Sequence, residues 1–171
     1  LWYIILAEVP MRRYQGDNSR TGGTFDYPRF MAFMSDRTDK GRDMVAYGDR
    51  SDWHPALEQL RQNLQTMVGS AMQIDSALIN YYRFPENKIS LHADREVRPP
   101  RNVVLTISLS PYYSRRIIFK EMPKHATGLG GKPRKWTFYP PHGSLYIMEG
   151  QVNKLLKHES PPLTKTEIKS F

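Results

Sequence analysis

The chain is expected to be mainly β with a flanking helix, built as a sandwich or barrel of short strands. Three observations carry that expectation. Short apolar runs recur along the chain, each bounded by turn residues, which is how short strands read in sequence. Thirteen Pro and eleven Gly, spread over all 171 residues, supply turns between them. Only one stretch has the three- and four-residue apolar spacing of a convincing helix.

In chain order, Leu1 to Val9 reads as a first strand. Met11 to Tyr27, with Arg12, Arg13, Arg20, Gly22 and Gly23, reads as a basic, mobile loop. Phe30 to Met34 is a short apolar run, followed by polar turn residues as far as Arg42. Met44 to Gly48, which includes Tyr47, is a short strand ending at a turn. The helix starts after Asp52-Trp53-His54-Pro55, because Pro suits the first helical position and Asp or His before it can cap the end. Leu57, Leu60, Leu64, Met67 and Val68 then share one face, and Gly69 stops the helix. It is expected to pack behind the sheet and to carry no chemistry.

Ala77 to Tyr82 reads as a strand, and Arg101 to Ser110 as a buried strand rich in β-branched residues. Arg115 to Glu121 is another, and Pro123 to Lys135 is a solvated basic loop. Trp136 to Tyr139 and Ser144 to Met148 are strands separated by a turn at Pro140-Pro141-His142-Gly143. No internal repeat is visible.

Composition bounds the partners. Apolar content of 39% with 12% aromatics indicates a folded chain, and its length suits a single domain over 1–171. Twenty-five Lys and Arg against 17 Asp and Glu give a formal charge of +8. That charge fits a polyanionic partner, nucleic acid first, and equally a generally basic protein. Cysteine is absent, which excludes a disulfide framework and Cys-ligated metals and fits a reducing, intracellular setting. No run approaches the ~18 apolar residues a spanning helix needs, so no membrane partner is expected. Leu1 to Leu6 is too short for a span and lacks the features of a secretion signal. The chain opens without Met and stops at Phe171, and reads as a piece of a longer parent; a monomer is expected.

The chemistry centres on Asn80 to Glu96. His92 and Asp94 stand two residues apart in a run, with Ile89 and Leu91, that reads as an alternating strand. Side chains at i and i+2 of a strand share a face. An imidazole and a carboxylate so placed can grip one metal ion, with a third ligand from far along the chain. His158 is the candidate. Two His and one carboxylate with open positions is the arrangement of non-haem Fe(II) oxygenases.

From the residues alone, the ordinary readings stay open. His158 follows Lys154-Leu-Leu-Lys157 and fits a solvated histidine, Tyr82 a core aromatic and Tyr47 an edge residue. Glu96 fits a surface partner of Arg95 or Arg98. His142 suits a turn, His54 a helix start and His125 an exposed loop.

Taken together, Asn80 to Pro161 resembles the AlkB-type Fe(II)/2-oxoglutarate dioxygenases that demethylate nucleic acids, with a looser likeness back to Tyr47. Leu78-Ile-Asn80-x-Tyr82 resembles the family's Asn-x-Tyr strand, and His92-Ala-Asp94-x-Glu96 its metal pair followed by an acidic residue. Asn102 to Ser110 resembles the next core strand. His142 to Gly150 resembles the strand leading to the second His, and His158-Glu-Ser-Pro161 that distal ligand with its exit turn. Ile147-Met148-Glu149-Gly150 and Glu96 look closest to the branch that repairs alkylated DNA and RNA.

The resemblance implies a double-stranded β-helix, or jelly roll, with 1–79 supplying N-terminal strands, recognition loops and the packing helix, and 80–171 the metal-binding core. It implies Fe(II) held by His92, Asp94 and His158, and 2-oxoglutarate held by Asn80 and Tyr82, with ascorbate as the reductant in vitro. Glu96 would read an extruded base and Tyr47 would stack on it. The implied partner is methylated DNA or RNA, of the 1-methyladenine or 3-methylcytosine type, in the nucleus of a eukaryote or the cytoplasm otherwise. The basic segments 12–20 and 124–135 would touch phosphate.

One departure stands out. The family closes its core with Arg-x-Asn-x-Thr-x-Arg, whose arginines hold the co-substrate carboxylates, and no Arg follows Arg134 here. Truncation of that strand is the expectation. The rivals are a catalytically degenerate nucleic-acid-binding module on the same fold and a dioxygenase of protein or small molecules.

Overall fold

The computed structural model describes residues 1–18, 22–36, 52–94 and 103–169. The chain forms two compact units, Leu1–Arg83 and Phe84–Phe171. It is mainly β, in antiparallel sheets with a few helices, consistent with the expected jelly roll.

The N-terminal unit opens on helix α1, Trp2–Glu8, where a strand was expected. A short apolar run does not by itself separate strand from helix. Here the backbone closes Ile5 N–H onto the Leu1 carbonyl at 2.9 Å and Val9 N–H onto Ile5 at 3.1 Å. That spacing buries Ile5 and Val9 together, as residues four apart on a helix must be.

The expected loop at 11–27 is instead a hairpin of β1, Gln15–Asn18, and β2, Gly23–Asp26. Both strands lack alternating apolar residues, so nothing in the sequence marked them. Arg12 and Arg13 lie over the rings of Tyr14 and Phe30, at 5.1 and 5.2 Å from the ring centres.

Strand β3, Phe30–Ser35, pairs antiparallel with β4, Ser76–Tyr81, with Met31 opposite Asn80. Met31 to Ser35 are all buried, which explains an unbroken apolar run in place of an alternating one.

Helix α2, Pro55–Val68, matches its expected start and stop. His54 caps it, its Nδ1 accepting from Ala56 N–H at 3.3 Å, and its Nε2 pairs with Glu8 at 3.0 Å. The Met44–Gly48 strand and Tyr47 lie outside the described residues.

The C-terminal unit holds β5, Ile89–His92; β6, Val103–Ile107; β7, Ile117–Glu121; β8, Lys135–Phe138; β9, Leu145–Glu149; and β10, Leu156–Ser160. Four of them form an antiparallel sheet ordered β5-β10-β7-β8, and β6 pairs with β9. β6 is half-buried along its length, not buried as its composition suggested. Two further helices went unexpected: α3, Gly150–Leu155, between β9 and β10, and α4, Lys165–Lys169.

Entry into β9 is a tight turn. Ser144 N–H reaches the Pro141 carbonyl at 3.1 Å, and Gly143 takes the positive φ of 78° that its place in the turn requires. His142 belongs to this turn, its Nδ1 accepting from Ser110 N–H at 3.0 Å.

Among the described residues of this unit, the buried apolar side chains are Ile118 and Met148, whereas Asn87, Arg115, Glu121, Asn153 and Ser160 are buried polar ones. Hydrogen bonding therefore orders this unit as much as apolar burial does. Glu121 is the clearest case. Its carboxylate accepts from the N–H groups of Arg134 and Thr127, at 2.8 and 2.9 Å, from the Thr127 hydroxyl at 2.5 Å and from Arg134 Nε at 3.1 Å. Residues 122–134 are thus tied back to the end of β7.

These donors, the Arg134 N–H foremost and then the Thr127 hydroxyl, hold the Glu121 carboxyl down at about 2. A carboxylate depressed on folding stabilises the fold fully above its ordinary value near 4.5 and loses that contribution as pH falls towards 2. Glu121→Gln is expected to flatten the fall in melting temperature between those pH values, while remaining less stable than the native chain at pH 6. Thermal melts across pH 2 to 6 check it.

Candidate metal centre

The pairing of β10 with β5 sets His158 directly opposite His92. Partners across an antiparallel pair project from the same face, and the two imidazole centres stand 4.2 Å apart. The register slips between this pair and the next, Ser160 with Ile89, so β5 carries one extra residue there. The bulge breaks the expected alternation. Ser90 and Leu91 are both exposed, and Ile89 and His92 are the half-buried pair.

Asp94 lies just past the end of β5, not within a continuous strand. Its Oδ1 is 3.2 Å from His92 Nε2, and its Oδ2 is 3.8 Å from His158 Nε2. One donor atom from each of the three residues lies within 4.8 Å of the others, and among the described residues no other His, Asp or Glu group meets that test.

The protonation pattern suits a metal. His92 Nδ1–H donates to the Ser90 carbonyl at 2.7 Å, which orients the ring with its Nε2 towards Asp94. Burial pushes the Asp94 carboxyl up, but the hydrogen bond with His92 and the charges of His158 and His92 outweigh it and leave the group below its ordinary value. Burial, and then the neighbouring His92, push the His158 imidazole down, against the pull of Asp94. The set is therefore one carboxylate and, in His158, an imidazole that sheds its proton readily.

His158 turns its Nε2 towards Asp94, 3.8 Å from Oδ2, with the His92 ring beside it. Two imidazoles and a carboxylate converging in this way fit a cation held between them. The donor types are those of an Fe(II) site with open positions.

The row continues across the sheet. His158 is opposite Phe119, and Phe119 is opposite Trp136, so His92, His158, Phe119 and Trp136 line one face over four strands. The rings of Phe119 and His158 are 5.8 Å apart. Phe119, Trp136, Phe138, Val152 and Leu156 line a shallow, open apolar depression of about 290 Å³.

The 2OG-Fe(II) oxygenase superfamily model matches residues 17–170. The chain belongs to that superfamily. No curated protein matches it. Membership makes this oxygenase a user of Fe(II) and 2-oxoglutarate, and the His92, Asp94 and His158 cluster offers the donors such a cofactor takes. No helix among the described residues is long and apolar enough to cross a membrane.

The remaining expected residues divide in two. Asn80 and Tyr82 belong to the N-terminal unit, where the buried Arg29 donates through Nε to Asn80 Oδ1. Glu96, like Tyr47, lies outside the described residues.

Asn153 was missed altogether. Its side chain is buried and reaches Asp94, 59 positions away, accepting from Asp94 N–H at 2.8 Å and donating to Asp94 C=O at 2.5 Å. Read alone, Val152-Asn-Lys154 carries no signal for it.

Proposed function

We propose that this oxygenase is an AlkB-type demethylase that removes N-methyl groups from bases of DNA or RNA, of the 1-methyladenine or 3-methylcytosine type, as formaldehyde. The observation that carries it is the meeting of His92, Asp94 and His158 at one point in a chain of charge +8. A polyanionic substrate suits that charge. The aromatic wall of Phe119, Trp136 and Phe138 suits a flat heterocycle nearby.

In this reading His92, Asp94 and His158 hold Fe(II), and Asn80 and Tyr82 hold 2-oxoglutarate. Glu96 reads the base and Tyr47 stacks on it. When bound, Fe(II) with 2-oxoglutarate and oxygen supplies the oxidation of the N-methyl carbon. The chain's own part is positional. The Ser90 carbonyl fixes the His92 ring, and Asp94 stays ionised between two imidazoles. The target base leaves its stack or is already single-stranded, and bases with broken pairing are the least costly to extrude. The basic segments 12–20 and 124–135 steer the phosphate backbone.

The test is mass spectrometry of oligonucleotides bearing 1-methyladenine or 3-methylcytosine, incubated with the protein, Fe(II), 2-oxoglutarate and ascorbate. Loss of methyl mass that vanishes in Asp94→Ala is the expected result. Oligonucleotide binding with no methyl loss from the native chain sinks the reading in favour of a binding module.

A further inference from the structure

We propose that Asn153 is a positioning residue for the metal centre, clamping the backbone of Asp94 so that its carboxylate is held in place for the cation. The inference rests on the metal-centre reading above and extends it to a residue bonded to the backbone of a ligand.

Asp94 lies past the end of β5, and among the described residues no strand pairs with it. Asn153 takes over that pairing. Its carboxamide presents an acceptor to Asp94 N–H at 2.8 Å and a donor to Asp94 C=O at 2.5 Å, the same two bonds that a neighbouring strand residue would exchange. A carboxamide offers an acceptor and a donor side by side, and meets both groups in only one orientation. Asn153 is 6% exposed, so water does not compete for either bond.

The location strengthens the case. Asn153 sits in α3, whose last residue, Leu155, runs directly into β10. Residues 153–158 thus fix two ligands at once, His158 through its strand and Asp94 through the clamp. A ligand loop held by two backbone bonds keeps its carboxylate in place before the cation arrives, and loss of such outer partners typically weakens metal binding ~10- to 100-fold.

The experiment titrates Mn(II) alone, read by the electron paramagnetic resonance of the free ion, against the native protein and Asn153→Ala, Asn153→Asp, Asn153→Gln, Asp94→Ala and Asn87→Ala. Melting temperatures are taken without metal. Asn153→Asp keeps size and the acceptor but turns a second carboxylate oxygen onto the Asp94 carbonyl. Asn153→Gln keeps the amide on a longer arm. Asn87 is buried in the same unit, accepts from Phe84 N–H at 3.0 Å and touches no triad residue, so its alanine variant reports plain destabilisation.

The expected result is affinity at least about 10-fold weaker in Asn153→Ala and Asn153→Asp, with partial recovery in Asn153→Gln and native affinity in Asn87→Ala. Should the alanine variant fail to fold, the aspartate and glutamine variants decide the same comparison. Native affinity in Asn153→Ala or Asn153→Asp overturns the proposal and leaves the metal centre standing. So does an Asn87→Ala variant that loses as much affinity for the same loss in melting temperature. Native protein that binds no better than Asp94→Ala overturns the metal centre, and the clamp with it.

Discussion

Asp94→Ala is expected to abolish turnover and to erase the stabilisation that metal confers. The carboxylate is the only anionic donor of the three, and it stands between two imidazoles at 3.2 and 3.8 Å. Removing it leaves two neutral ligands for a divalent ion, so affinity should fall at least about 100-fold, beyond the range seen for outer partners. A cation that binds only the folded state adds about 2.7 kcal/mol when present at a hundred times its dissociation constant. For a protein of this size that is a rise in melting temperature of roughly 5–10 °C. The native chain should show it with Mn(II) or with Fe(II) under anaerobic conditions, and Asp94→Ala should not. Without metal the two melting curves should lie close together, because Asp94 is partly exposed and its pairs with histidine are the kind that contribute little. A variant that still gains stability from metal would locate the ion elsewhere.

Arg115→Met is expected to cause the largest loss of stability in the C-terminal unit, about 3–5 kcal/mol. Arg115 is 8% exposed. Its Nε donates to Ser160 Oγ at 3.1 Å, and one terminal nitrogen donates to the carbonyls of Asn87 and of Pro161, the latter at 2.9 Å. One guanidinium therefore joins the approach to β5 with the exit of β10, the two strands that carry the histidines. Methionine fills comparable volume and donates to none of these acceptors, leaving buried oxygens with fewer partners. A fall in melting temperature of roughly 6–20 °C follows. Arg115→Lys should recover only part of it, since one ammonium on a flexible stem does not reproduce the planar fork. A methionine variant as stable as the native chain would show that the desolvation cost of the buried cation cancels its hydrogen bonds.

How far the sequence disclosed the centre depends on the kind of interaction. His92 and Asp94 are neighbours in sequence, and their residue types alone suggested a ligand pair. His158 was reachable only through a likeness of motifs, because nothing local distinguishes it from a solvated histidine. The structure shows what sets it apart: strand pairing places it, half-buried, against His92 on one side and Phe119 on the other. The bulge in β5 was invisible, since an extra residue in a ladder depends on the partner strand. Asn153 was invisible for the same reason, its two bonds spanning 59 positions.

Among the elements, α2 and the β-branched strands were legible because their periodicity is local. Leu1 to Leu6 was misread because an apolar run that short suits a helix and a strand alike. The hairpin at Gln15–Asp26 and helix α3 carry too few apolar residues to announce themselves.

The residues between Asn153 and His158 act as a ruler. Asn153 is pinned to Asp94 from the last turn of α3, and His158 is the third residue of β10, a strand in which each successive side chain points the opposite way. Adding or deleting one residue at 156–157 would turn His158 to the far side of the sheet, away from His92, while every donor remained present in the sequence. Length, here, is as much a ligand requirement as residue type: homologues that keep His-x-Asp and a distal His but alter this count hold the right atoms at the wrong address.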